Sequence, residues 1–541
     1  MKKLIALLLT VAMVASLVAC GASTTPAPTA AAPTAAPEKQ EAGTIQEAST
    51  VRTSADNDLV IALEGAVGSL DPQNYSDTNS ITAAGGIYES LVTFDADRNI
   101  VPLLADSWTI SEDGLTYTFK LKEGIKFQDG TDFDADAVVA NFDRLLNKDN
   151  GLRMTGRWYN GDVARVSVSA VDTYTVDMVL TEGWSSFLNV LTLFMFMSPS
   201  AIETYGADIM YHPCGTGPYV LKEWVENDKV VLVPNKDYWG TVPSVDSLTI
   251  LSVPEAGTRT AGLQTGEYDV VYPMTADQIN AVSGDTSITI TSTPSNIMRY
   301  VTLNADVEAL SDVRVRQAIN YAVDKDAYVA VMYNGYATIA DSVFPSTISY
   351  YKSHDVYKFD LEKAKALMEE AGYADGFDLT IWCDNTTQEI KGATFIKQQL
   401  AQIGINVEVV PYDIGSMDAD IYVERDKATI QMWYVNWSAS NFSADSTVRA
   451  LLYSGMEPPT SANTAYYENA EFDKALDDAL LSSDPAVQAE LYAKCQDLAW
   501  ADCPWIFLAV DNVLSASQSY VSGVSVNPDG RVVYANASLA K

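Results

Sequence analysis

From about residue 59 the chain alternates short apolar runs with stretches of helical repeat. Leu59-Val60-Ile61-Ala62-Leu63 predicts a buried strand. Leu115, Tyr117, Phe119 and Leu121 alternate with polar residues behind Ser111-Glu112-Asp113-Gly114, which predicts a half-buried strand after a glycine turn. After Gln128-Asp129-Gly130, the apolar residues Ala135, Val138, Val139, Phe142 and Leu145 recur at helical spacing, with Asp134 as N-cap. Leu361, Ala364, Leu367, Met368 and Ala371 form one helical face that starts at Asp360 and stops at Gly372. Further helices are predicted over about 471–481 and 485–500, and β-rich runs at 230–233, 379–382 and 407–410. Helices and strands interleave to the end, with no repeat of solenoid period, which predicts an α/β fold.

The first residues follow a different pattern. Lys2 and Lys3 precede an apolar run of about 15 residues, the length of a signal-peptide core and short of the ~20 that span a membrane. The run ends in Leu17-Val18-Ala19-Cys20-Gly21, which looks like a lipobox, so residues 1–19 are expected to be a lipoprotein signal peptide and Cys20 to carry lipid. Residues 24–37 are Ala, Pro and Thr without apolar periodicity, so 20–55 is expected to be a disordered tether.

Composition narrows the classes. With 34 basic and 71 acidic residues the formal charge is −37, and loss of Lys2 and Lys3 with the leader makes it more negative. Such a chain is a poor partner for nucleic acid or anionic lipid. Any arginine facing a ligand becomes more informative. Beyond Cys20, the cysteines Cys214, Cys383, Cys495 and Cys503 are too sparse for a disulfide scaffold. Spacing permits a Cys495–Cys503 bridge without establishing it, the alternative being buried thiols. Two histidines, His212 and His354, far apart and without paired cysteines, offer no metal site. No Gly-x-Ser-x-Gly elbow is present, which argues against a hydrolase, and no cofactor is implied.

Several blocks then resemble one family, the extracellular solute-binding proteins (family 5) of peptide, nickel and glutathione ABC importers. These are 105–108 with 113–121 (Ala-Asp-Ser-Trp and Asp-Gly-Leu-Thr-Tyr-Thr-Phe-Lys-Leu), His212-Pro213-Cys214-Gly215-Thr216-Gly217-Pro218-Tyr219, 312–319 with 321–324, and 367–377. They occur in family order. Gly215-Thr216-Gly217-Pro218 lacks the Lys-Ser/Thr ending of a phosphate loop and reads as a tight turn. Arg314 and Arg316 open a helix and read as structural.

The resemblance implies a two-lobed periplasmic-binding-protein fold of type II. Its first lobe is expected over 56–304 with an extra subdomain at about 100–234, its second lobe over 305–510, and a return to the first over 511–541. The hinge crossings are expected near 302–304 and 509–511. The implied protein is a monomer that captures a small solute and delivers it to a membrane permease. It would be anchored outside the cytoplasmic membrane through Cys20, and it would not be an enzyme.

Within the family the glutathione-binding branch is most similar, through Trp437-Ser438-Ala439-Ser440, Ala444-Asp445, 458–460, 463–467, 297–300 and 259–267. Dipeptide binders tend to carry an aspartate three residues after that tryptophan; Ser440 stands there instead, which disfavours a plain dipeptide. A di- or oligopeptide or a nickel chelate remains the alternative.

Glutathione carries two carboxylates and one ammonium, so its site needs net positive donors, and the planar fork of arginine suits a carboxylate. The candidates are Arg299, which could equally form an interdomain salt bridge, and Arg153 and Arg157 beside Trp158, in a segment, 147–161, that reads as an exposed loop. On that reading Arg299→Ala weakens ligand binding by about tenfold or more. Trp437 and Ser438 are expected in the site, and Trp433, on the same strand face, either there or in the core. Asp445 either meets the ligand or is a helix cap or surface acid. In the first lobe, Tyr75, Thr78 and Asn79 are expected in a polar loop that presents ligand contacts.

Overall fold

The computed structural model describes residues 57–540 except 76, 96, 97, 439, 440 and 483. The leader, Cys20, the tether and Ser440 lie outside the described residues. Eleven strands form one mixed sheet. Along its path run Tyr219–Val225, Lys229–Pro234, Ser247–Ser252, Asp58–Leu63, Val270–Tyr272, Trp505–Gln518, Ile288–Leu303, Met432–Ser438, Phe377–Asp384 and Ile405–Tyr412, with Ala337–Ile339 on the side of Trp505–Gln518. A separate antiparallel sheet orders Ala105–Ile110, Thr116–Leu121, Thr175–Leu180 and Val166–Asp172.

Local signals place many of these elements. Tyr117, Phe119 and Leu121 alternate inward, and Gly114 before them has φ 72°, the left-handed turn that glycine adopts without a Cβ penalty. Asp134 accepts from the Ala137 N–H and opens Ala135–Leu146; Asp360 accepts from the Lys363 N–H and opens Leu361–Glu370. At Gly217 a Cβ would lie 2.6 Å from the Ile87 carbonyl carbon, so the glycine lets backbone pack on backbone in a turn. Arg316 is buried and donates to the carbonyls of Asp502, Leu310 and Ser311, tying helix Val313–Ala322 to its surroundings.

Two expectations need correction. The polar loop around Thr78 and Asn79 is the start of a helix, Thr78–Ala84, because Asp77 accepts from the Ser80 N–H and caps it. The exposed loop at 147–161 contains 3-10 turns, Lys148–Asn150 and Arg153–Trp158, and Trp158 is 2% exposed. The indole of Trp158 meets Phe142, Phe194 and Trp184 at centroid distances of 5.1, 5.4 and 5.7 Å, an edge-on aromatic core.

The buried apolar residues form clusters of two groups. One group draws on residues 59–288 and 513–537; the other draws on 298–509. The chain passes between them in two long paired strands, Ile288–Leu303 and Trp505–Gln518. Their antiparallel register runs from Ile288↔Gln518 to Pro294↔Asn512, breaks, and resumes from Met298↔Val510 to Thr302↔Trp505, with a further shift between Arg299↔Ala509 and Tyr300↔Phe507. Thr302 thus lies in the paired part beyond the break, with Trp433 on its other side. Cys214, Cys383, Cys495 and Cys503 are buried free thiols, and burial pushes Cys495 and Cys503 up to about 12. Among the described residues no helix is long and apolar enough to cross a membrane, and no cluster of His, Cys, Asp or Glu could hold a metal ion.

Candidate functional site

A cavity of about 910 Å3 lies where the two groups meet, beside the register break. Glu89, Arg98 and Arg531 line it from the first group, Pro294 from the crossing strand, and Ser346 and Thr347 from the second group. Thr347 Oγ1 donates to the Ser295 carbonyl at 2.9 Å and fastens that wall to the crossing strand. The volume lies in the range of small-ligand sites, about 300–1,000 Å3.

Glu89 is buried and accepts from Tyr238 Oη at 2.6 Å, Trp239 Nε1 at 2.8 Å and Thr216 Oγ1 at 2.8 Å. Burial pushes its carboxyl up, and the three donors only partly oppose that. Its oxygens therefore organise the wall that carries the Gly215–Gly217 turn. Arg531 Nε donates to Asp529 Oδ2 at 2.6 Å, and its side chain is 16% exposed. Arg98 follows a turn in which its N–H bonds the Asp95 carbonyl, and its guanidinium carbon stands 5.3 Å from the ring centroid of Phe442, a residue of the second group. Phe94 meets the same ring edge-on at 5.5 Å. Beyond the cavity the groups also touch through Asn189 Nδ2 to the Asn441 carbonyl, 3.1 Å, and Ser185 Oγ with Tyr492 Oη, 3.1 Å.

The residues expected from sequence fall into three places. Thr78 lies against the turn that carries Arg531, and Tyr75 feels the charges of both Arg157 and Arg531. Burial raises the Tyr75 hydroxyl, with Arg157 and Arg531 pulling it down. A Cβ on Gly530 would lie 3.5 Å from Thr78 Cγ2. Asn79 packs over Gly65, where a Cβ would meet its amide nitrogen at 2.6 Å. Arg153 is exposed and spends its backbone N–H on Asn74 Oδ1 at 3.3 Å, while Trp158 belongs to the aromatic core.

On the crossing strand, Arg299 stands opposite Asn436, and Met298 opposite Trp437. Neighbouring residues on a strand face opposite ways, so Arg299 and Trp437 are on different faces of the sheet. Arg299 is buried, its Nη1 2.7 Å from Glu389 Oε2 and its guanidinium carbon 4.9 Å from the Tyr434 ring. Burial works against its charge; Tyr434, Tyr333 and Glu389 outweigh that and hold the guanidinium protonated. Trp437 packs on the cluster of Met298 and Tyr300 with its Nε1 unpartnered, Ser438 is exposed, and Trp433 packs with Trp382 and Tyr466.

Asp445 is neither cap nor surface acid. It is half-buried in the first turn of Ala444–Leu452 and paired with Arg449 at 2.9 Å. Burial raises its carboxyl against the pull of Arg449.

Sequence reasoning missed Arg98, Arg531, Glu89 and Phe442. The signal available was Asn527-Pro528-Asp529-Gly530-Arg531, a turn composition that delivers an arginine on a loop, where binding residues concentrate.

Residues 99–457 match the model of the bacterial extracellular solute-binding proteins, family 5. The chain is 38% identical over 490 residues to the glutathione-binding protein GsiB of Salmonella paratyphi A, covering 90% of this chain and 95% of that protein. Among solved structures, HbpA2 from Haemophilus parasuis superimposes with a TM-score of 0.81 at 28% identity, over 90% of this chain and all of that one. A dipeptide-binding protein from Pseudoalteromonas sp. SM9913, in complex with Met-Leu, does so with a TM-score of 0.65 at 26% identity, over 89% of this chain and all of that one. Fold, cavity and similarity agree: the chain has the two-lobed periplasmic-binding-protein fold and belongs to the family-5 extracellular solute-binding proteins of ABC importers.

Proposed function

We propose that this protein captures glutathione or a related short peptide between its two halves and delivers it to an importer permease, with no bond broken. The observation that carries this reading is the cavity of about 910 Å3 between two separately packed groups that, among the described residues, the chain joins through the paired strands Ile288–Leu303 and Trp505–Gln518. We take the first lobe as 57–294 with 513–540, the second as 298–509, and the register break between them as the hinge. A ligand touching both halves favours closure in proportion to its differential affinity. Glutathione is favoured over a plain dipeptide because the related GsiB proteins are named for binding it and because Ser440 replaces an acid. Export and lipid on Cys20 belong to the same proposal.

Isothermal titration with reduced glutathione, its disulfide, di- and tripeptides and nickel complexes tests the reading. Saturable heat with glutathione is expected, together with a thermal upshift of about 2.7 kcal/mol in stability at one hundred times Kd. Binding only of dipeptides or of a nickel complex would move the protein to another branch, and turnover of peptide would make it a hydrolase.

A further inference from the structure

Arg98 and Arg531 come from opposite ends of the folded chain, and both line the cavity. Arg531 has a carboxylate partner in Asp529. Arg98 has none within ion-pair distance among the described residues: its guanidinium faces the Phe442 ring, and Asp95, the acid at the start of its turn, accepts from the N–H and the side-chain amide of Asn99. A guanidinium offers five donors in a planar fork. In a chain with 71 acids and 34 bases, an arginine half-buried in a cavity with no ion pair among the described residues is a conspicuous choice. Burial depresses Arg98, Asp529 and Asp95 oppose this, and Arg531 adds to the depression, so the two cations feel each other.

Phe442 covers Arg98 from the second group. It is 1% exposed and has φ 55°, a left-handed backbone that a bulky residue rarely adopts and that its surroundings must enforce. The enforced position sets its ring against Phe94 and over Arg98, across the junction of the two halves. Covering the guanidinium removes water from one side of it and strengthens whatever charge-assisted bond it makes on the other.

We propose that Arg98 and Arg531 form a carboxylate-binding subsite in the cavity, with the ring of Phe442 from the other half as its cover. The subsite rests on the reading of the protein as a binder of glutathione or a related peptide, and it states where one end of that ligand docks. Glutathione has two carboxylates that present the same chemistry, the glycyl and the γ-glutamyl one.

The test is calorimetric titration of the whole protein and of its Arg98→Gln, Arg531→Gln and Arg531→Lys variants with glutathione and with its glycyl ethyl ester, thermal melts showing that each variant is folded. Arg531→Lys keeps a cation beside Asp529 and removes the fork, so it serves where glutamine disturbs the turn. A charged hydrogen bond of this kind predicts that each variant binds glutathione about 10- to 100-fold more weakly. If the glycyl carboxylate is the one seated, the ester loses affinity for the wild type, and Arg98→Gln no longer distinguishes acid from ester. If the γ-glutamyl carboxylate is seated, the ester binds the wild type as glutathione does, and the variants weaken both alike.

Wild-type binding of glutathione with all three variants within about twofold of it overturns the subsite and leaves the proposed function standing. If the wild type takes another peptide in place of glutathione, the glutathione reading falls. The subsite is then decided on that peptide and its C-terminal amide: equal affinity for the two overturns it, and a preference for the acid that Arg98→Gln abolishes supports it. A wild type that binds none of these solutes overturns both.

Discussion

Replacing Glu389 with alanine is expected to lower folding stability by about 3–5 kcal/mol, the usual cost of removing one partner of a buried ion pair. The carboxylate and the Arg299 guanidinium are 2.7 Å apart, with side chains 14% and 10% exposed. Without Glu389 the guanidinium stays buried, its Nε already unpartnered, and the Tyr434 ring and the half-buried Asp511 nearby replace only part of the lost bond. Denaturation in urea measures the loss as a lower midpoint. Arg299→Ala removes the other partner and is expected to destabilise through the stranded Glu389. A ligand-contacting Arg299, the role its sequence position suggested, would show the opposite pattern: glutathione affinity lost at unchanged stability.

The second large effect is expected at Trp158. Its ring fills the space between Phe142, Phe194, Trp184 and Phe187, and alanine there leaves a cavity in a region of stacked and edge-on rings. A buried tryptophan cut to alanine costs about 3–5 kcal/mol. Calorimetric or urea unfolding should record this, with ligand affinity of the surviving folded protein changed far less. An affinity loss without a stability loss would return Trp158 to the ligand.

Local signals were legible where the sequence determines structure within a few residues. Asp134 and Asp360 as caps, Gly114 and Gly372 as left-handed stops, and the alternation from Tyr117 to Leu121 all read directly from spacing. The short helix Thr78–Ala84 was not legible, because its first residues are polar and its cap, Asp77, sits in a run that resembles a loop. Trp158 misled for a related reason: its neighbours are Asn, Gly and Arg, and only the folded chain brings Phe142 and Phe194 to it. The site was legible as a region and less so as residues. Thr78 does lie against the turn of Arg531, but the presence of Arg98 and Arg531 in one cavity is a long-range product of the C-terminal return to the first half. Arg299 shows the limit of a composition argument: scarcity of arginine raised its profile, and the unpredictable neighbour was Glu389.

Capture requires closure of the two halves around a solute, and single-molecule energy transfer between them measures it. Tyr211, 47% exposed in the first half, and Lys474, with a side chain 75% exposed in the second, suit dye attachment after replacement by cysteine, with Cys20 changed to serine and the other four thiols buried. Saturating glutathione should move the population toward a single, shorter-distance state, and Arg98→Gln should require more ligand for the same shift. Identical distance distributions with and without saturating ligand would contradict the account.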